Sequence, residues 1–330
     1  MHAHIEKLFD IRIKDAGQKY PVYHPDVKVY EVSDKTDGHV IGLLYADYYA
    51  RPGEKNIGAW TDYFRENGTA AGIKRYPLAI NSYDFAKPAA GQPLLLSPEE
   101  VKTLFHEFGH ALHTLLSKAK YPSVAGLNCA IDFLELPSQL QQNWMLQEDV
   151  LATFAKHHQT GQPLAPEKIK KIIDMDKFNA PQYGLYMTFW AMLDMKWSTT
   201  DPQDIKSVEA LEDEVFAESS LFPRGALCTS TSFDHLLGYA AGFYGYKWAE
   251  TLEADIFEEF RDKGIYDSAT AKRVREKVYE EGGVTDAEDL IAAVRGRKPD
   301  ADAMFKREGL APEKTRKKDL PCGPDKKRQP

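Results

Sequence analysis

The spacing of apolar residues changes character near residue 97. Before it, short runs alternate or cluster as strands do: Val27-Lys28-Val29-Tyr30-Glu31-Val32, Val40-Ile41-Gly42-Leu43-Leu44-Tyr45 and Pro77-Leu78-Ala79-Ile80-Asn81-Ser82-Tyr83. Asp37-Gly38 between the first two runs suits a tight hairpin turn. After residue 97 the period is helical. Ser97-Pro98-Glu99-Glu100 offers a hydroxyl cap, a proline at the first helical position and a carboxylate three residues after the cap. The helix it starts is expected to reach Leu116. Val101, Leu104, Phe105, Phe108, Ala111, Leu112 and Leu115 give it so broad an apolar surface that it should be buried. Later breaks fall at Gly161-Gln162-Pro163 and Asp201-Pro202, and Tyr244, Trp248, Leu252 and Ile256 form another stripe. The pattern predicts a mainly α fold with a small β-sheet (α+β). It forms one lobe over 1–310, with a mixed α/β part at 1–95 and a helical part at 96–310. A tail at 311–330, rich in Lys and Arg among Pro and Gly, reads as disordered and solvated.

Composition narrows the function classes. At 330 residues, with 43% hydrophobic and 12% aromatic content, the chain can bury a sound core. A net charge of −8 argues against a nucleic-acid binder. No apolar run is long enough to span a membrane, and Met1-His2-Ala3-His4 opens without an apolar signal-peptide core, so a cytoplasmic address is expected. Cys129, Cys228 and Cys322 are odd in number and widely spaced, which fits a reducing compartment; Cys129 reads as a small core residue.

Within the buried helix lies His106-Glu107-Phe108-Gly109-His110, an H-E-x-x-H pattern. Residues four apart share a helix face about 6 Å from each other, so both imidazoles can reach one zinc ion while Glu107 points toward its water. An accidental match would usually sit on an exposed helix, unlike this one. A catalytic zinc site normally has a third protein ligand. His113 returns to nearly the same face, but its position about 10 Å along the axis from His106 makes sharing one ion difficult. Asp132 and Glu135, three apart among apolar neighbours, offer another source, because carboxylates are rarely buried without a partner. Glu135 then suits the ligand, and Asp132 suits acceptance of a ligand imidazole's free N–H. A helix carrying two solvated acids has the same spacing.

The chain resembles the thimet oligopeptidase, oligopeptidase A and peptidyl-dipeptidase group of zinc peptidases. The resemblance rests on Phe105 through His113, on Tyr121-Pro122-Ser123, on Asp132 through Gln139, and on the 25-residue interval from His110 to Glu135. It runs from Pro21-Val22-Tyr23-His24-Pro25-Asp26-Val27, through Ala50-Arg51-Pro52-Gly53, to Arg295-Gly296-Arg297-Lys298-Pro299. It implies a zincin-like catalytic lobe with one zinc ion on His106, His110 and Glu135, and Glu107 as general base. It also implies an edge strand near Leu78 to Tyr83 that pairs with the backbone of short peptide substrates.

Downstream, Thr231 to Tyr246 carries His235, Tyr239 and Tyr246 among glycines. By their residue types alone, core packing is the better reading of these aromatics. The resemblance instead implies that all three bind substrate and donate to the oxyanion that forms during amide hydrolysis. Two departures stand out: members of the group usually have one or two more residues between the positions of His235 and Tyr239, and many have a tyrosine where Phe243 stands. Members are also much longer, and this chain resembles their catalytic half alone. The uncovered face would be an open cleft or a site of self-association or of a partner lobe. Cleavage inside peptides and release of C-terminal dipeptides both remain open. A zincin using another third ligand, a truncated peptide-binding or scaffold protein, and a fragment with a chance motif are the rival readings.

Overall fold

The computed structural model describes residues 1–70, 72–221 and 228–310. The expected tail at 311–330, with Cys322, lies outside the described residues.

A short helix α1 (His2–Phe9) precedes seven strands: β1 (Ile11–Asp15), β2 (Lys28–Asp34), β3 (Val40–Tyr49), β4 (Trp60–Arg65), β5 (Gly68–Ala70), β6 (Ile73–Arg75) and β7 (Leu78–Phe85). The three expected strand runs become β2, β3 and β7. Gly38 takes φ 74° between β2 and β3, as the turn requires. Five strands form one sheet in the order β1-β2-β3-β7-β4; β3 and β7 are parallel and the remaining neighbours antiparallel. This corrects the expected edge strand at Leu78 to Tyr83. Strand β7 is flanked on both sides, and β4 forms the edge. The misreading came from Trp60-Thr61-Asp62-Tyr63-Phe64-Arg65, whose half-exposed, charged pattern did not announce a strand.

Helix α2 (Pro98–Leu116) begins with the expected capping box: the Ser97 hydroxyl accepts from the Glu100 N–H, and the Glu100 carboxylate accepts from the Ser97 N–H. It lies against β7, β4 and β3. Helix α4 (Leu136–Met145) packs on its other side, preceded by the short α3 (Ile131–Leu134), which lies against α10 (Tyr244–Lys263), and followed by α5 (Glu148–Phe154), α6 (Pro166–Phe178), α7 (Ala180–Thr199) and α8 (Val208–Ser219). Helix α9 (His235–Gly238) leads into the long α10 (Tyr244–Lys263). A π-helical turn at Arg275–Glu280 separates α11 (Ser268–Val274) from α12 (Ala287–Arg295), and α13 (Asp302–Glu308) closes the described chain.

The largest core joins α1, the sheet, α2, α4, α10 and α12 through Phe105, Phe108, Leu112, Leu140, Trp144 and Phe260. Gly109 makes this packing possible. A Cβ there would lie 2.5 Å from the Pro137 carbonyl oxygen and 2.6 Å from the Ser138 Cα, both backbone atoms of α4. The missing methyl lets α4 seat close against α2. From behind, the buried Tyr279 hydroxyl donates to that Pro137 carbonyl at 2.9 Å and accepts from the Gln141 amide. A separate, smaller cluster holds Phe189, Leu193, Leu211, Val215, Phe233 and Phe243 between α7, α8 and the segment before α10. Among the described residues, no helix is long and apolar enough to cross a membrane.

Candidate metal centre and active site

Close seating of α4 on α2 carries Glu135, the residue just before α4, to the two histidines. Glu135 Oε2 lies 3.2 Å from His106 Nε2 and 3.3 Å from His110 Nε2, and the imidazole planes stand at 85°. One donor atom from each of the three residues falls within a 4.8 Å cluster, the only such His/Cys/Asp/Glu group among the described residues. Glu135 is 4% exposed and His110 7%, so their polar atoms are withdrawn from solvent together. Burial alone would raise the Glu135 carboxyl, but the adjacent His110 and His106 hold it well below the usual carboxylate range. Burial likewise opposes charge on His110, and Glu135 more than offsets this and raises it. The Ser138 hydroxyl, 2.8 Å from the Glu135 carbonyl and 3.0 Å from its carboxylate, steadies the Glu135 side chain.

Such a set fits a metal ion: Nε2 of each histidine on α2 and a carboxylate oxygen of Glu135, from the turn before α4, converge within 4.8 Å. His106 Nδ1 meets the Gln142 amide at 2.6 Å. With Nε2 turned to a metal, Nδ1 carries the proton, so the amide oxygen is the group that should face it. The Gln142 side chain, not Asp132, is what the structure places at His106 Nδ1. Asp132 instead accepts from the Tyr244 hydroxyl at 3.2 Å, because α3 ends before Glu135 and its carboxylate turns toward α10. Glu135, Gln139 and Gln142 repeat at helical spacing, but Ser138, Gln141 and Asn143 make α4 polar on other faces too, so the sequence did not single out Gln142.

His113 stays outside the cluster. It is fully buried one turn further along, edge-on to the Phe133 ring, and burial pushes its pKa down to about 3. Glu107, 5% exposed, turns to the sheet side, where the Thr61 hydroxyl of β4 donates to its Oε2 at 2.6 Å. Cys129 is a free, half-buried thiol whose pKa burial pushes up to about 12, packed at the margin of the core.

The aromatic segment closes the other side. His235 Nε2 and the Tyr246 hydroxyl are 3.3 Å apart, and the Tyr239 and Tyr246 rings stack 5.7 Å apart. Gln139 ties this group to α4 by donating to the Tyr246 carbonyl at 3.0 Å. Burial raises the Tyr246 hydroxyl, with the Glu135 carboxylate adding to it, and burial lowers His235; both are neutral near pH 7. Tyr239 is raised in the same way, but its hydroxyl donates to the Ile131 carbonyl at 3.3 Å. Phe243 is buried in the smaller core. Core packing at Phe243 and the His235–Tyr246 contact thus share one segment.

Two buried carboxylates unforeseen in the sequence hold this segment. Asp194 of α7, 0% exposed, accepts from the N–H groups of Ala241 at 2.9 Å and Phe243 at 3.0 Å. Ala241 sits at φ 58°, a conformation costly without such support. Glu212 of α8 accepts from the N–H groups of Thr229 and Ser230.

Comparison with known proteins places this arrangement in context. The family model described as Peptidase family M3 matches residues 1–310. Dipeptidyl carboxypeptidase of Escherichia coli is 36% identical over 312 residues, covering 92% of this chain and 45% of that protein. Organellar oligopeptidase A of Arabidopsis thaliana is 35% identical, over 92% and 40% respectively, and oligopeptidase A of Escherichia coli 32%, over 93% and 45%. The chain therefore spans less than half the length of these relatives. A solved structure of Pyrococcus furiosus carboxypeptidase aligns with 81% of this chain and 53% of its own at a TM-score of 0.48 and 14% identity.

Proposed function

Because the chain belongs to peptidase family M3, we propose that it is the zincin-like catalytic lobe of a zinc-dependent peptidase that hydrolyses short peptides. The observation that carries the reading is the convergence of His106, His110 and Glu135 within 4.8 Å, with Glu107 buried alongside. His106 Nε2, His110 Nε2 and a Glu135 oxygen would hold one Zn²⁺. When bound there, zinc lowers the pKa of a water and polarises the scissile carbonyl.

The chain's own groups do the rest. Glu107 takes a proton from the attacking water and delivers it to the leaving amine. Tyr246, neutral and beside Glu135, donates to the oxygen that becomes negative, and His235 is placed to assist through its contact with the Tyr246 hydroxyl. Tyr239 joins them once its hydroxyl leaves the Ile131 carbonyl. An extended peptide adds to β4, the strand of the sheet edge nearest α2. Main-chain pairing of that kind accepts many sequences. The names of relatives include both oligopeptidase and dipeptidyl carboxypeptidase, so the cut position is read from products.

The test is mass-spectrometric product mapping on a peptide mixture, joined to metal analysis, for wild type and Glu107→Gln. Zinc near one equivalent in both, with cleavage by wild type alone, is expected. Equal cleavage by both would overturn the role of Glu107, and zinc retained without cleavage by either would favour a peptide-binding protein.

The same reading treats residues 1–310 as one lobe with a cytoplasmic address, supported by the odd, scattered cysteines. An exposed apolar stretch on α6 and α7, with Met175, Phe178, Tyr183 and Tyr186, is the proposed face for self-association or for a partner lobe. Light scattering after size exclusion should show concentration-dependent self-association through this face; a monomer at high concentration counts against it.

A further inference from the structure

We propose that Thr61 of the edge strand is a positioning residue for the general base, locking Glu107 through a hydroxyl relay from the neighbouring strand. The inference rests on the reading of Glu107 given above. Thr61 Oγ1 is 2.6 Å from Glu107 Oε2 and 3.0 Å from the Glu107 carbonyl oxygen. Asn81 of β7, directly opposite Thr61 in the sheet register and 1% exposed, places its Nδ2 3.2 Å from the same hydroxyl.

The direction of this chain is forced at its end. An ionised Glu107 can only accept, so the single Thr61 proton goes to the carboxylate, the closer and charged of its two acceptors. Thr61 must then accept, and the amide nitrogen of Asn81 is the donor that serves it. Asn81 has no freedom to turn away, being buried in the sheet. One carboxylate oxygen is thereby held and the other is left for the attacking water.

Such holding matters because a glutamate has three side-chain torsions, and a base displaced by about 1 Å can lose ~10²-fold in rate. The helix alone does not supply it: α2 fixes the Glu107 backbone, and the contact that fixes its carboxylate comes from 46 residues upstream in sequence. Position 61 also lies on the strand to which the substrate is proposed to add, so substrate pairing and base orientation share one strand.

Four variants test this. Thr61→Val keeps the shape and removes the hydroxyl; Thr61→Ser keeps the hydroxyl. With zinc content unchanged, Thr61→Val should lower kcat about tenfold with KM within about twofold, and Thr61→Ser should restore most of the loss. Melts of the metal-free protein give a second readout. If the bond exists, the combined Thr61→Val, Glu107→Ala protein loses less stability than the sum of the single changes. Wild-type kcat in Thr61→Val, an equal loss in Thr61→Ser, or strictly additive melts would overturn the inference while leaving Glu107 as the base. Equal turnover by Glu107→Gln and wild type, or no turnover by wild type, would overturn the underlying reading and this inference with it.

Discussion

The three proposed metal ligands and the aromatic segment lie close together, yet they are held by different physics. His106, His110 and Glu135 hang from helices seated in the largest core, with Gly109 allowing backbone contact and Tyr279 bracing α4 from behind. His235, Tyr239 and Tyr246 belong to a segment packed on a small cluster, in which Leu237 is 91% exposed. What fixes that segment is polar: Asp194 and Glu212 gripping backbone N–H groups, and Gln139 gripping the Tyr246 carbonyl. Apolar packing tolerates little change in geometry, whereas a loop pinned by a few hydrogen bonds can move when one is lost. The geometry of the proposed ligands should therefore be robust and that of the aromatic segment adjustable.

The comparison breaks first at its chemical centre. Glu107→Gln should lower kcat ~10³-fold while zinc stays bound, since general-base catalysis is removed and the ligands remain. Loss of zinc in that variant would show that the metal side is less robust than its packing implies. Next in size, Tyr246→Phe should reduce kcat ~10²-fold at nearly constant KM, as the loss of one oxyanion donor does; steady-state kinetics decide it. A change confined to KM would move Tyr246 from the reacting oxygen to substrate binding.

Asp194→Ala addresses the polar grip. Two backbone N–H groups lose a buried acceptor, so urea unfolding should show a loss of about 1–3 kcal/mol. Zinc affinity should be unchanged, because Asp194 touches the aromatic segment and none of the three ligands. A parallel loss of zinc would mean that the two sides are coupled.

The smallest expected effect lies in the large core. His4, buried beside Phe105 and Trp144, has its pKa lowered to about 3, mainly by burial. Its ordinary value is near 6.5, so the unfolded chain takes up a proton at pH values where the folded chain does not. The stability this confers is complete above pH 6.5 and is lost progressively toward about pH 3. From pH 6.5 to 5.5 the loss should be about 1 kcal/mol. His4→Phe should remove that part of the slope in pH-dependent melts; an unchanged slope would show that His4 is not buried neutral.

How much of this was legible in the sequence follows the same division. The two histidines announced themselves through i, i+4 spacing on a capped, apolar helix, whereas the residues around Glu135 made it only a candidate, indistinguishable by spacing from a solvated acid, and the family resemblance singled it out. The α+β character and the three strand runs were equally plain. What stayed hidden depends on tertiary meeting. Thr61 approaches Glu107 only because an inconspicuous strand reaches the sheet edge, and the same unseen strand displaced Leu78 to Tyr83 from edge to interior. Gln142, not Asp132, lies at the His106 ring because the turn between α3 and α4 aims the two side chains apart. Asp194 and Glu212 resembled ordinary helix acids until the segment they hold was folded against them.

The central claim is that one metal ion sits on three named side chains fixed by core packing. Anomalous diffraction at the zinc edge from crystals grown with zinc tests it most directly. The account predicts a single strong peak bonded to His106 Nε2, His110 Nε2 and Glu135. A peak on His113 instead of Glu135, or no ordered peak between the two histidines, would contradict it.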